Sequence, residues 1–304
     1  MRSMGGKVKP PTPPQPTHPT PEMPYHREAM PAKSKLGQNF LHDQQAIRRI
    51  VAVLGDCTAS TVVEIGPGRG AVTRELVPAA ARVIAVELDP ALVEHLRGKF
   101  PAEKLSVVHQ DVLAFDFAAS AAEVRHRLAV VGNLPYYITS PILLRLAECH
   151  ASLDRAVLMM QREVADRVAA APGSRDYGLL SVTVQMYGPV ERLFTLPPEA
   201  FSPPPEVHST VIRWRFAPRF AELSVEPSSF LDLVRKSFAQ KRKTLANNLR
   251  AAGFEPEQLS IAMDLAGIDA QARAEAISIE AFADLWKALR TTHSAPGSQS
   301  IKTQ

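Results

Sequence analysis

The sequence predicts a doubly wound α/β fold: a mostly parallel sheet, an antiparallel hairpin closing one edge, and a small all-α region after it. Three observations carry this. Short apolar or β-branched runs alternate with amphipathic helical stretches from Asp43 to Met160. A glycine-rich turn stands directly after the first run and before a helix. Beyond about Val225 no further strand-like run appears and helical periodicity takes over.

In chain order, residues 1–31 hold a dense set of prolines among Thr, Gln and Lys, a composition that predicts a polyproline-like arm without a core. Strands are expected at Thr61–Ile65, Arg82–Glu87, Leu105–His109, Leu128–Val131 and Ala156–Met160, with helices at Asp43–Leu54, Ala71–Val77, Pro90–Phe100 and Pro141–Cys149. Val207–Phe216 alternates as an antiparallel strand does, and pairing it with Val190–Leu193 would close the sheet edge. Ser228–Ala252, Glu257–Ala266 and Ile279–Arg290 read as helices, broken at Gly253, Pro256 and Gly267. The expected divisions are an arm at 1–31, an α/β domain at 32–224, a helical domain at 225–290 and a polar tail at 291–304.

Composition narrows the class. With 304 residues and 45% hydrophobic content, the chain can bury a sizeable core. It has no apolar run of 18 residues, so a membrane span is not expected, and its start lacks the apolar segment of a secretory signal. Cys57 and Cys149, the two cysteines, form no metal-spaced set and fit a reducing cytoplasm. No metal is expected, and the chain is expected to be a monomer. The net charge of +4 is only mildly basic, so any nucleic-acid surface must come from clustering.

Asn133-Leu134-Pro135-Tyr136 follows an apolar strand, at the end where open α/β sheets place ligands. An Asn side-chain oxygen beside a backbone carbonyl makes a pair of acceptors. Pro135 stiffens the turn, and Tyr136 offers a flat face. The set suits the exocyclic amine of a planar base. Upstream, Glu64-Ile65-Gly66-Pro67-Gly68-Arg69-Gly70 ends the first sheet strand, where glycines let the backbone turn tightly against a ligand. Gly66, Gly68 and Ala71 also satisfy a dinucleotide spacing, which keeps a nicotinamide reading open. Glu64, Pro67 and Gly70 fit Glu-x-Gly-x-Gly-x-Gly better, a loop that wraps a cofactor with an amino-acid moiety. Glu87 ends the next strand, placed to hold ribose hydroxyls, with Asp89 as its helix-starting neighbour. Asp111 follows the third strand, placed to accept from an adenine amine. An adenosine, an amino acid and no phosphate describe S-adenosylmethionine.

With these residues the chain resembles the class I methyltransferases, and more narrowly the ribosomal RNA adenine N6-dimethyltransferase family (the KsgA/RsmA type, with its macrolide-resistance Erm relatives). The matching segments are Gly37-Gln38-Asn39-Phe40-Leu41, Glu64–Gly70, Glu87-Leu88-Asp89, Gln110-Asp111-Val112, Asn133–Tyr136 and Phe201-Ser202-Pro203-Pro204-Pro205-Glu206-Val207, and the resemblance covers roughly Ala32 to Arg290. It implies cofactor contacts at Asn39, Leu41, Gly66, Glu87, Asp111 and Asn133. Arg69 departs from the apolar residue often found at its place in the loop.

For methyl transfer to adenine N6, Asn133 Oδ1 and the Leu134 carbonyl are the expected acceptors, Tyr136 stacks on the base, and Phe201 closes the pocket opposite. The target base must be single-stranded, looped or flipped. Between Val234 and Arg250 lie six basic residues and no acidic one. On one continuous helix Arg235, Lys236, Arg242, Lys243 and Arg250 would share a face, with Lys241 nearby; a break near Gln240 would leave two basic clusters. Lys33, Lys35 and Gln161-Arg162-Glu163-Val164 extend this expected RNA surface. The resemblance implies dimethylation of two adjacent adenines in a 3′-terminal hairpin loop of 16S ribosomal RNA, in the assembling 30S subunit. An Erm-like methylase of large-subunit RNA, or an assembly factor whose methylation is secondary, are the alternatives.

Overall fold

The structure is a computed structural model that describes residues 38–293. The arm at 1–31, Lys33, Lys35, Gly37 and the tail beyond 293 lie outside the described residues. The chain runs β1 (Phe40–Leu41), α1 (Gln44–Leu54), β2 (Thr61–Ile65), α2 (Ala71–Ala79), β3 (Arg82–Glu87), α3 (Pro90–Lys99), β4 (Leu105–His109) and α4 (Phe117–Val124). There follow β5 (Leu128–Asn133), α5 (Thr139–Glu148), β6 (Leu153–Gln161), α6 (Arg162–Val168), α7 (Leu179–Met186), β7 (Val190–Leu196), β8 (Phe201–Ser202) and β9 (Ser209–Arg215). Four helices finish it: α8 (Pro227–Ser237), α9 (Leu245–Ala251), α10 (Pro256–Leu265) and α11 (Ile279–His293).

Seven strands form one sheet in the order β4-β3-β2-β5-β6-β9-β7. The first five are parallel, and β9 runs antiparallel to both β6 and β7, which is the predicted edge hairpin. The chain steps outward one way from β2 to β4 and the other way from β5 to β6. The reversal therefore lies between β2 and β5, and the crevice at their carboxyl ends is where such a sheet binds ligands. The glycine turn and Asn133 stand at those two ends.

Alternation along the strands separates two cores. Val62, Val83, Ala85, Ala129, Val131 and Met159 face α1 and α2, packing on Ile47, Ile50, Leu54 and Leu76. Val63, Ile84, Val86, Val130 and Leu158 face the other way, onto a cluster that includes Ile142, Leu143 and Leu146 of α5. Both faces are covered, so the strands are apolar throughout and lack the alternation of a half-exposed sheet.

Two expectations change. The second core runs without interruption into Phe230, Leu233, Leu245, Leu249 and Phe282 of the last helices, and Phe220 meets Phe230 edge-on across the expected 224/225 boundary. All described residues fall in one compact unit. The helix expected over Ser228–Ala252 is two helices. Asn248 is buried and donates through Nδ2 to the carbonyls of Ser237 (2.7 Å) and Gln240 (3.2 Å), satisfying backbone acceptors that α8 leaves open at its end. Thr244 Oγ1 then accepts from Asn247 N at 3.2 Å and starts α9. The single basic helix face does not form. Arg235 and Lys236 pair with Asp232 one turn earlier, Arg250 donates to Asn247, and Lys241, Arg242 and Lys243 stand exposed on the connecting turn.

Two glycine substitutions test the packing in opposite directions. A Cβ at Gly188, where φ is +140°, would lie 1.9 Å from the Arg215 carbonyl oxygen, so Gly188→Ala should destabilise by about 3 kcal/mol or more in urea unfolding. Gly98 lies inside α3 with nothing within 4 Å, so Gly98→Ala should stabilise by about 0.5–1 kcal/mol.

Candidate active site

A cavity of about 360 Å³ opens at the carboxyl ends of β2, β3 and β5, a volume in the range of small-molecule sites. Gly66, Gly68 and Gly70 all take positive φ (63°, 57° and 77°), so the turn between β2 and α2 is one that other residues adopt only under strain. The turn is also crowded. A Cβ at Gly68 would come within 3.0 Å of the Phe40 ring, and one at Gly70 within 2.8 Å of Phe100.

Glu87, buried at the end of β3, anchors this turn. Its Oε2 accepts from Gly68 N at 3.0 Å, and its Oε1 accepts from Leu88 N (2.9 Å) and Asp89 N (3.0 Å). A carboxylate has about four acceptor sites, so one direction remains for a ligand hydroxyl. Asp89 caps α3 through Ala91 N, as expected. Asp111, which lines the cavity, accepts from Leu113 N through Oδ1 at 2.9 Å, which leaves Oδ2 as a further acceptor.

Asn133 closes the floor. Its Nδ2 donates to the Asn39 carbonyl at 3.0 Å, tying the segment before β1 to the end of β5. With the amine of the amide so engaged, Oδ1 is the atom left to accept from a ligand. Leu134 N donates to Met159 O at 2.9 Å, which holds the entry to the residue whose carbonyl is the second expected acceptor. The half-buried Tyr136 is held by a 2.7 Å hydrogen bond between its hydroxyl and Ser209 Oγ, and burial pushes its phenol up. Asn39, Leu41, Gly66, Glu87, Asp111, Asn133, Leu134 and Tyr136 all line the one cavity.

Phe201 does not. It is 2% exposed, pairs with Leu41 across β1 and β8, and belongs to the α1-side core. The expectation that it closes the pocket is corrected: the β1–β8 pairing turns the ring inward, and Ser202 faces the cavity in its place. Sequence reasoning also passes over residues the structure brings in. Tyr137 (53% exposed) and Leu88 (36%) are large apolar groups left open on the cavity wall, where a ligand could cover them. The Tyr137 phenol is raised by partial burial and by the Asp111 and Glu87 carboxylates. Its position directly after the Asn-x-Pro-Tyr run is the available signal.

Thr73 is the other residue passed over, the partner of the Glu64 that opens the glycine motif. Glu64 is buried beneath the cavity and accepts from Thr73 Oγ1 at 2.6 Å. Burial pushes its carboxyl up to about 7, against the Thr73 hydrogen bonds and with help from the Glu87 charge.

Residues 29–291 match the family model described as ribosomal RNA adenine dimethylase. The chain belongs to that family. It is 57% identical over 258 residues to the ribosomal RNA small subunit methyltransferase A of Acidobacterium capsulatum, covering 84% of this chain and 91% of the relative. The protein of the same name from Koribacter versatilis is 46% identical over 283 residues, covering 89% and 99%. Among solved structures, a dimethyladenosine transferase from Plasmodium falciparum superposes with a TM-score of 0.71 at 21% identity, covering 84% of this chain and 98% of that one, and shares the fold. The 23S rRNA methyltransferase ErmE gives 0.64 at 26% identity, covering 83% and 100%.

The fold is thus that of a class I methyltransferase, and the enzyme is an S-adenosylmethionine-dependent rRNA adenine methyltransferase. The residues present fit that cofactor. Glu87 retains one acceptor direction for a ribose hydroxyl, Asp111 Oδ2 is open to an amine, and Leu88 and Tyr137 are apolar surfaces a purine would cover. Among the described residues no helix is long and apolar enough to cross a membrane.

Glu64 gives a pH prediction with a definite sign. Its folded value of about 7 lies above the ordinary 4.5, so the folded state holds a proton that the unfolded chain has released between those values. Stability therefore falls as pH rises from 4.5 to 7 and levels off above, by about 3 kcal/mol at most. Glu64→Gln should abolish that component. The difference between the two unfolding curves, followed across this range by urea denaturation, should slope in the wild type's disfavour.

Proposed function

We propose that this chain methylates N6 of two adjacent adenines in a 3′-terminal hairpin loop of 16S ribosomal RNA, giving N6,N6-dimethyladenosines in the assembling small subunit of a cytoplasmic ribosome. One observation supports the chemistry: the amine of the Asn133 amide is taken by the Asn39 carbonyl, which leaves the amide oxygen as the acceptor of a residue that lines the cavity. The identity to small-subunit methyltransferases, 57% against 26% for ErmE, supports the small-subunit substrate over a large-subunit one.

S-adenosylmethionine supplies an electrophilic methyl group when bound. The chain's own residues do the rest. An adenine amine is a poor nucleophile because its lone pair is delocalised into the ring. Asn133 Oδ1 and the Leu134 carbonyl, accepting its two hydrogens, favour the pyramidal nitrogen whose lone pair is free to attack. Tyr136, pinned through Ser209, presents its ring to the base and limits its tumbling. No group here is needed as a strong base, since the displaced proton leaves from a cationic amine to solvent. One acceptor pair thus serves the first methylation fully and the second with a single remaining hydrogen.

RNA contacts fall on the turn between α8 and α9. Lys241, Arg242 and Lys243 are exposed there and have no side-chain partner among the described residues, whereas Arg235, Lys236 and Arg250 are engaged within their own helices. Such cations position a phosphate backbone without reading its sequence.

The deciding experiment incubates the enzyme and labelled cofactor with unmodified 30S particles, 50S particles and naked rRNA, and maps the modified nucleotides. Dimethyladenosines confined to two neighbouring small-subunit adenines are expected; label in the large-subunit RNA would reject the proposal. Asn133→Ala should lower the methylation rate by about 100- to 1,000-fold, the scale of losing one preorganised polar contact, while particle binding measured by sedimentation persists. Replacing Lys241, Arg242 and Lys243 with Ala should weaken RNA binding and flatten its salt dependence by about 2–3 in log–log slope.

A further inference from the structure

Three cations, Arg69, Arg74 and Lys99, stand on the cavity wall and play no part in the chemistry above. We infer that Arg69 and Arg74, braced by Lys99, form a carboxylate-binding rim that receives the amino-acid end of the cofactor, an inference that rests on the cofactor assignment above.

The placement is built rather than incidental. The Arg69 guanidinium lies over the Phe40 ring, 4.5 Å from its centroid, and the same ring is held against Gly68, 3.0 Å from where a Cβ would stand. Phe40 is thereby layered between the glycine turn and the cation. Lys99 Nζ donates to the Arg69 carbonyl at 3.0 Å and fixes the backbone from behind. Arg74 sits in the first turn of α2, where a long side chain runs back toward the helix start, and it has no partner among the described residues.

The charges on the wall are segregated by their partners. Glu64 is taken up by Thr73, Glu87 by three backbone N–H groups, and Asp111 by Leu113 N. None of these carboxylates pairs with Arg69 or Arg74. Acceptors for the adenosine half lie at the ends of β3 and β4, while the unneutralised cations follow β2 on the side of α1. A ligand with a neutral nucleoside at one end and a carboxylate at the other matches this polarity in one orientation only. RNA phosphate is the other anion that could reach these cations, but they line the cofactor cavity and belong to the turn and helix that shape it. Arg69 is also the residue that departs from the resemblance in this loop.

Titration calorimetry with S-adenosylhomocysteine and its decarboxylated analogue, which keeps the amine and lacks only the carboxylate, tests this on the full chain. Wild type should bind S-adenosylhomocysteine about tenfold or more tighter than the analogue, a preference that shrinks in high salt. Arg69→Ala/Arg74→Ala should reduce the preference to within about twofold by weakening the first ligand alone, and Arg69→Lys should retain part of it. Retained analogue binding reports an intact fold. Equal losses for both ligands would overturn the inference, assigning the arginines to loop support, and no loss for either would overturn it by directing them to RNA. Failure of wild type to bind either ligand would instead refute the cofactor assignment itself.

Discussion

One hydrogen bond sets the polarity of the site: Asn133 Nδ2 to the Asn39 carbonyl, 94 positions apart in the chain. An amide is symmetrical in shape and opposite in chemistry at its two ends. Giving the amine to a backbone carbonyl leaves the oxygen as the amide's open acceptor. The same bond locks the segment before β1 onto the carboxyl end of β5, at the point where the strand order reverses. The remaining geometry follows from that closure, because Phe40 is then brought against Gly68 and Arg69, and β1 is set to pair with β8.

A second constraint acts from the opposite wall. Glu87 spends three of its acceptor directions on backbone N–H groups, one of them in the glycine turn. The carboxylate expected to read the ribose is therefore also the strut that shapes the loop around it. The Glu64 carboxyl beneath is pushed up to about 7 by burial and accepts from Thr73. A substitution at Glu87 would therefore disturb the glycine turn as well as the expected ribose contact.

Much of this is legible in the sequence, and the failures have particular causes. The five parallel strands and the edge hairpin follow from runs long enough to dominate their local signal. Acceptors at Asn133, Glu87 and Asp111 are readable because strand ends place them in register. Phe201 misleads because a two-residue pairing with Leu41 leaves no periodic trace, so nothing shows which way its ring turns. The continuous basic helix fails for a similar reason. Helical periodicity through Gln240 is real, but a side chain at Asn248 reaching back to Ser237 and Gln240 stabilises the break, and such a long-range bond has no local signature. Tyr137 is overshadowed by Tyr136 in the sequence, since only its exposure on the cavity wall distinguishes it from an ordinary turn residue. The boundary at 224/225 marks a change of periodicity, yet the core on that face continues across it.

The most direct test is a crystal structure of the protein with S-adenosylhomocysteine and an oligonucleotide carrying the target adenine. The account predicts the adenine amine within about 2.7–3.2 Å of Asn133 Oδ1, with the Asn133–Asn39 bond intact. An adenine amine turned away from that oxygen, or an Asn133 side chain released from Asn39 and rotated out of the cavity, would contradict it.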